Sequence, residues 1–231
     1  MINKDSLQYL KDLKANNNKE WFDANRDRYE IELQKARDFA EDVLQKVKKF
    51  DEIQTPSGRK SLMRIYRDVR FSKDKRPYKH NWGGSFKRAG KHRRGGMYFH
   101  IEPGACFVGG GFWAPSSADL KHIRNQIAAE PERLRKILAS KQFKTVFKTL
   151  EGDQVKTAPK GFDKNHPAID LLRYKQFLIS QRFSDAEAIK SDFPDRVAET
   201  FKAMQPFFNY MSDILTHDLN GTPIPEEKLA G

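Results

Sequence analysis

The sequence predicts an α+β fold in which a central, mainly antiparallel sheet is flanked by N-terminal and C-terminal helices. Three observations point there. Tyr29, Leu33, Ala36, Ala40, Val43 and Val47 recur at 4-3-4-3-4 spacing, which sets them on one stripe of a helix. Val197, Phe201, Met204, Phe208, Met211 and Leu215 repeat that spacing near the other end. Between the two, apolar and polar residues alternate through Leu62–Phe71 and again from Met97 to Phe112, the two-residue period of strands. A chain of 231 residues is large enough to bury roughly 70% of the surface its unfolded form exposes. The expectation is one domain over residues 1–231, with an ordered core over about 5–219 and a frayed tail from Asn220.

In order, Asp5-Ser6 can cap a short helix whose Leu7, Leu10 and Leu13 share a face, and Asn16-Asn17-Asn18 ends it. A long helix then begins near Lys19, anchored by Trp21 and Phe22, with a charged face that includes Glu30 and Glu32 read as solvated. Thr55-Pro56-Ser57-Gly58 is a loop. Leu62–Phe71 reads as a strand with Met63, Ile65, Arg67, Val69 and Phe71 on the core side. Arg64, Tyr66, Asp68 and Arg70 lie on the other, neighbours on that face being ~7 Å apart. Ser72–Gly95 reads as a long connection. Met97–Glu102 and Ala105–Phe112 form a hairpin through Pro103-Gly104, and Gly109-Gly110-Gly111 permits a bulge or a close backbone approach. Helices follow at Pro115-Ser116-Ser117 and Glu130-Pro131, then a loop over 150–168, a helical turn at Asp170-Leu171-Leu172-Arg173 and a strand from Tyr174 to Phe183. The last helix opens near Asp192-Phe193-Pro194 and kinks at Pro206.

Composition bounds the function. Aromatic residues make up 12% of the chain, which argues against disorder. No apolar run approaches the ~18 residues of a membrane span, the start has no leader-like apolar segment, and Cys106 is alone. The expectation is a cytoplasmic protein without membrane contact. Charge is concentrated. The window Arg59–Arg94 holds fourteen Lys and Arg against Asp68 and Asp74, so its net +12 equals that of the whole chain and the remainder is neutral. Like charge confined this way is costly to a compact state, and an anion site is the economical explanation.

The centre of that window, Arg64-Ile65-Tyr66-Arg67-Asp68-Val69-Arg70-Phe71-Ser72-Lys73-Asp74-Lys75-Arg76-Pro77-Tyr78-Lys79, resembles the hallmark of a family catalogued as domain of unknown function twenty-four sixty-one. Further blocks are similar to the family in the same order: Glu20-Trp21-Phe22, His100-Ile101-Glu102-Pro103-Gly104, Phe107-Val108-Gly109-Gly110-Gly111 with Trp113, and Asp170-Leu171-Leu172-Arg173 with Lys175 and Phe177. The resemblance runs from about Asp5 to Leu215 and implies an α+β domain of this length. It implies no activity.

The first functional reading is a basic cleft for a phosphate-bearing ligand, lined by Arg64, Arg67, Arg70, Lys73, Lys75 and Lys79 with Tyr66 and Tyr78 as walls. Arg173 and Lys175 are added as ligand-binding candidates. A second reading is a nucleic-acid surface in which Lys87–Arg94 supplies charge and Tyr78, Trp82 and Phe86 supply stacking. A third is an enzyme acting on an anionic substrate, with His100 or Asp68 transferring a proton and Glu102 orienting the imidazole. The histidines show no metal-ligand spacing beyond the weak His100-x-Glu102 pair, so neither metal nor cofactor is expected. Cys106 is not expected to be a nucleophile.

Overall fold

The computed structural model describes residues 1–229. Helices α1 (Lys4–Ala15), α2 (Lys19–Ala24), α3 (Arg26–Val47) and α4 (Gly58–Ser61) come first, followed by strands β1 (Trp82–Lys87), β2 (Gly96–Ile101) and β3 (Cys106–Phe112). Then come α5 (Ser117–Ala129), α6 (Pro131–Ala139), α7 (Lys141–Val146), α8 (Ile169–Leu172), β4 (Phe177–Phe183), α9 (Asp185–Ala188), α10 (Phe193–Ala203) and α11 (Gln205–Thr216). The strands form one antiparallel sheet in the order β1-β2-β3-β4, so the fold is α+β as the periodicities predict. The chain divides into two compact units. The first comprises Met1–Phe86, Tyr98–Val108 and Arg182–Thr200; the second comprises Lys87–Met97, Gly109–Gln181 and the residues from Phe201 onward.

In the first unit, Asn3 rather than Asp5 or Ser6 caps α1, its side chain accepting from Ser6 N at 3.0 Å. Ser6 is thereby turned inward, and its hydroxyl donates to Glu32 at 2.6 Å. Glu32, expected on a solvated face, is buried and also receives Lys35 at 2.8 Å. The long helix expected from Lys19 is two helices. Asn25 leaves helical geometry at φ −111°, ψ 22°, and its amide donates to Trp21 O at 2.9 Å, which ends α2 before α3 begins. The core of this unit is aromatic: Phe39 stacks on Phe193 and meets Phe99 edge-on, both with centroids 5.4 Å apart, and Phe22 stacks on Tyr78 at 4.1 Å.

The hallmark segment is not a strand. From Leu62 onward its strand-type backbone pairing is confined to isolated bridges, Leu62 with Gly84 and Tyr66 with Tyr78. Pro77 offers a carbonyl to Arg67 N but has no N–H to return, so the ladder stops there. The expected core side also fails on both sides of Ile65: that residue is 4% exposed, whereas Met63 before it is 46% and Phe71 after it 95% exposed. Conversely, the presumed connection contains β1. Gly83 and Gly84 hide its alternation because they carry no side chains, and the space a Cβ would need at Gly84 is filled by the Phe99 ring.

In the second unit Ser116 caps α5, Pro131 opens α6, and Ile123, Ile127 and Leu134 are fully buried, as the spacing requires. Gly111, at φ +130°, packs so tightly on Phe177 that a Cβ would overlap its carbonyl, which is the close approach the triple glycine predicts. The expected C-terminal helix is broken rather than kinked: α10 stops at Ala203 and Pro206 sits in the first turn of α11, where its missing N–H is not needed. All six residues of the predicted stripe are buried. Past Asn220 the chain is held by a His217–Pro223 bridge and by Ile224 N on Thr216 O at 2.8 Å, and Leu229 is buried.

Candidate functional site

The site is built in the first unit from two short runs of chain. One is β2, whose alternation turns Tyr98, His100 and Glu102 to the same side. The other is His80-Asn81, held in place because Tyr78 exchanges backbone hydrogen bonds with the Asn17 amide, at 3.0 Å to Tyr78 N and 2.9 Å to Tyr78 O. Tyr98 Oη and His100 Nδ1 are 2.9 Å apart, with Asn81 Nδ2 at 3.3 Å from the same nitrogen. His100 Nε2 lies 3.0 Å from Glu102 Oε2. The ring of His100 stacks on Phe107 at 4.9 Å, so hydrogen bonds at both nitrogens and a packed face fix its orientation.

Glu102 gathers charge from two further residues. His80 Nδ1 is 3.0 Å from Glu102 Oε1, and Lys14 Nζ is 3.4 Å away. The His80 contact is close but outside hydrogen-bond geometry, which leaves that buried nitrogen without an aligned partner among the described residues. Burial alone would raise the Glu102 pKa, but the hydrogen bond from His100, the electrostatic pull of His80 and the hydrogen bond from Lys14 outweigh it and hold the carboxyl below its ordinary value. Burial pushes His80 the other way, towards the neutral imidazole, against the pull of Glu102. Tyr98 is raised by burial and by Glu102, and stays a phenol. The arrangement therefore pairs a carboxylate with an imidazole of fixed orientation and a second imidazole biased towards neutrality, the components of proton transfer near neutral pH.

The hallmark cations divide into two groups. Arg70 makes a two-pronged pair with Asp68, Nε to Oδ1 at 3.0 Å and Nη2 to Oδ2 at 2.7 Å. Arg76 grips Asp74 in the same way, and Arg67 adds a contact to Asp74 at 2.8 Å. These pairs hold both carboxyls below their ordinary range. Two of the arginines expected around the ligand, Arg67 and Arg70, are thus engaged by the acids of their own segment, as is Arg76. Arg64 and Lys79 are not: neither has a carboxylate within 4 Å among the described residues, and Lys79 Nζ donates to the Arg64 carbonyl at 3.0 Å. Burial, then the Arg64 charge, lowers the Lys79 pKa.

The other expected residues fall as follows. Asp68 is engaged by Arg70 instead of joining His100, which removes it from the proton-transfer group. The sheet explains why: the hallmark segment bridges β1 at Gly84 while β2 is β1's other neighbour, so β1 separates the Arg64 side from the His100 side. Lys73 is exposed, and Lys75 Nζ donates to Val69 O at 3.0 Å. Tyr66 is half exposed, 5.5 Å from the ring of buried Tyr78. Arg173 and Lys175 belong to the second unit. His80, Asn81 and Lys14 were not foreseen; only the position of His80 directly after the hallmark pointed to it. The stacking surface of the nucleic-acid reading is not available, since Tyr78, Trp82 and Phe86 are all buried, and within its basic tract Arg88 is buried and Arg94 pairs with Asp119 at 2.8 Å. Burial pushes the Cys106 thiol up to about 11, so it is protonated at neutral pH. Among the described residues, no three His, Cys, Asp or Glu side chains are grouped to hold a metal ion, and no helix is long and apolar enough to cross a membrane.

A family model described as "Conserved hypothetical protein (DUF2461)" matches residues 5–210. No curated protein and no solved structure matches the chain.

Proposed function

The chain belongs to the conserved hypothetical protein family DUF2461, and from the geometry of its first unit we propose that it binds a phosphate-bearing anion at Arg64 and Lys79. The observation that carries this reading is the pair of adjacent cations without a carboxylate, in a segment where Asp68 and Asp74 engage the other arginines. Two positive charges close together, one of them partly desolvated, repel one another, and a bound anion relieves the repulsion. A guanidinium fork and an ammonium are the usual partners of phosphate oxygens.

The test is thermal unfolding in inorganic phosphate against chloride at matched ionic strength. Phosphate at millimolar concentration raises the melting temperature of the wild type and of Arg70→Gln, and leaves an Arg64→Gln/Lys79→Gln double variant unmoved. Equal responses in the double variant and the wild type would sink the proposal.

A second reading rests on the Tyr98–His100–Glu102 array and the unaligned nitrogen of His80. Here the protein is an enzyme that moves a proton on an anionic substrate, with His100 as the transferring group and Glu102 as its orienting base. Turnover of aryl phosphate monoesters, compared between wild type and His100→Asn, tests it. Activity that survives the substitution excludes His100 from the chemistry.

A further inference from the structure

We infer that the second unit carries its own ligand site, for a small carboxylate with an apolar body, and that Arg173 is its anchor. A cavity of about 380 Å³ lies there, in the lower part of the size range of small-molecule pockets, roughly 300–1,000 Å³. Four apolar side chains share its lining with polar ones: Leu138 and Phe143 come from α6 and α7, Leu150 from the following segment, and Leu171 from α8. Polar groups on the lining are mostly spent. Asp170 is held by Arg135 in a two-pronged pair at 2.8 and 3.1 Å, which also keeps its carboxyl below the ordinary range. Tyr174 donates its hydroxyl to Leu150 O at 3.0 Å, and Thr149 Oγ1 donates to the same carbonyl at 3.3 Å.

Arg173 is the exception. Its Nε is buried with no hydrogen-bond partner, and its guanidinium has no carboxylate within 4 Å among the described residues, because the acid three positions earlier, Asp170, has been taken by Arg135. Arg173 as a whole is only partly buried and lines the cavity, so a carboxylate entering there can pair with a guanidinium that has no acid of its own. The Arg173 backbone is pinned on both sides, its carbonyl accepting from Val155 N at 2.9 Å and its N–H reaching Ile169 O at 3.2 Å, so the side chain is presented from a fixed base. At the rim, Lys148 adopts φ +65°, the one positive φ outside glycine among the described residues, and adds a second positive charge to the lining. Arg173 with Lys148, beside Leu138, Phe143, Leu150 and Leu171, suits a carboxylate with a short hydrocarbon or aromatic body better than a polyanion, whose remaining charge those apolar side chains would strip of water. This ligand class and this unit differ from those of the proposal above, and neither inference depends on the other.

The experiment titrates the full chain with hexanoate and with hexanamide, which differ in charge but hardly in shape, by calorimetry. Wild type binds hexanoate at least about tenfold more tightly than hexanamide. Arg173→Met, which keeps an apolar stem, abolishes that preference, and Arg64→Gln/Lys79→Gln retains it. Equal affinity for acid and amide in the wild type, or no heat from either at tens of millimolar, overturns the inference, and this comparison needs no variant to fold. Loss of hexanoate binding in the Arg64/Lys79 variant overturns it as well, since the acid would then be read by the first unit.

Discussion

Lys79 Nζ rests on the carbonyl oxygen of Arg64, 3.0 Å away, and the Arg64 charge adds to burial in lowering the Lys79 pKa. The two residues are fifteen apart in sequence and adjacent because Lys79 N donates to Ile65 O at 2.7 Å. Removing one charge should therefore be felt at the other. In Arg64→Gln the Lys79 ammonium titrates at higher pH than in wild type, though still below the ordinary lysine range because burial remains. Bound phosphate moves it in the same direction. NMR titration of the lysine side-chain carbons reads both effects, and an unchanged Lys79 midpoint in Arg64→Gln would show that the two charges are not coupled.

Glu102 gives a pH dependence of the opposite sign. Its folded pKa lies below the unfolded value, so the stability it contributes is present above the ordinary Glu range, near 4.3, and is lost as pH falls through the folded value. Glu102→Gln is expected to cost on the order of 1–2 kcal/mol at pH 7 and progressively less below pH 4. Urea unfolding of both proteins across that range checks it; a gap that stays constant with pH would place the loss in packing.

Ser6 and Glu32 test the buried polar contact behind α1. Ser6→Ala removes a 2.6 Å hydrogen bond from a carboxylate that has no access to replacement solvent, and the expected loss is about 1–3 kcal/mol. Glu41, which is partly buried and bonded to Gly58 N, serves as a comparison. If chemical denaturation finds Ser6→Ala within about 0.5 kcal/mol of wild type, Glu32 is satisfied by Lys35 alone.

Ile65 and Phe71 separate core from surface within one motif. Ile65→Ala should cost about 2–5 kcal/mol, while Phe71→Ala, at a ring 95% exposed, should stay within about 0.5 kcal/mol. Comparable losses at the two positions would mean that Phe71 is covered in solution.

Gly111→Ala combines a positive φ with a Cβ that overlaps the Phe177 carbonyl, and the expected loss exceeds about 2 kcal/mol. A melting temperature equal to wild type would show that β3 and β4 can separate enough to admit a methyl group.

Periodicity carried most of the fold. The 4-3-4-3-4 stripes, the Met97–Glu102 and Phe177–Phe183 alternations and the Pro131 start are local patterns with local causes, and each appears where its spacing puts it. The His100–Glu102 pair was legible for the same reason, since residues two apart on a strand share a side. Three things were not legible. Asn25 breaks a helix through a single side-chain hydrogen bond that the apolar stripe does not register. The hallmark alternates in sequence without pairing as a strand, because a strand needs a partner able to exchange bonds and Pro77 cannot. β1 was masked by two glycines whose role is to leave room for a ring in the next strand.

The sequence by itself determined where positive charge accumulates and which residue types stand beside it. Only the tertiary structure decided which of those charges remain unspent. Arg67, Arg70 and Arg76 are engaged by Asp68 and Asp74 while Arg64 and the hallmark lysines, Lys79 among them, are not, and Arg135 takes Asp170 from Arg173. The reason is range: a charge is counted along the chain, but it is cancelled only by a carboxylate within a few ångströms in space, and folding chooses that neighbour.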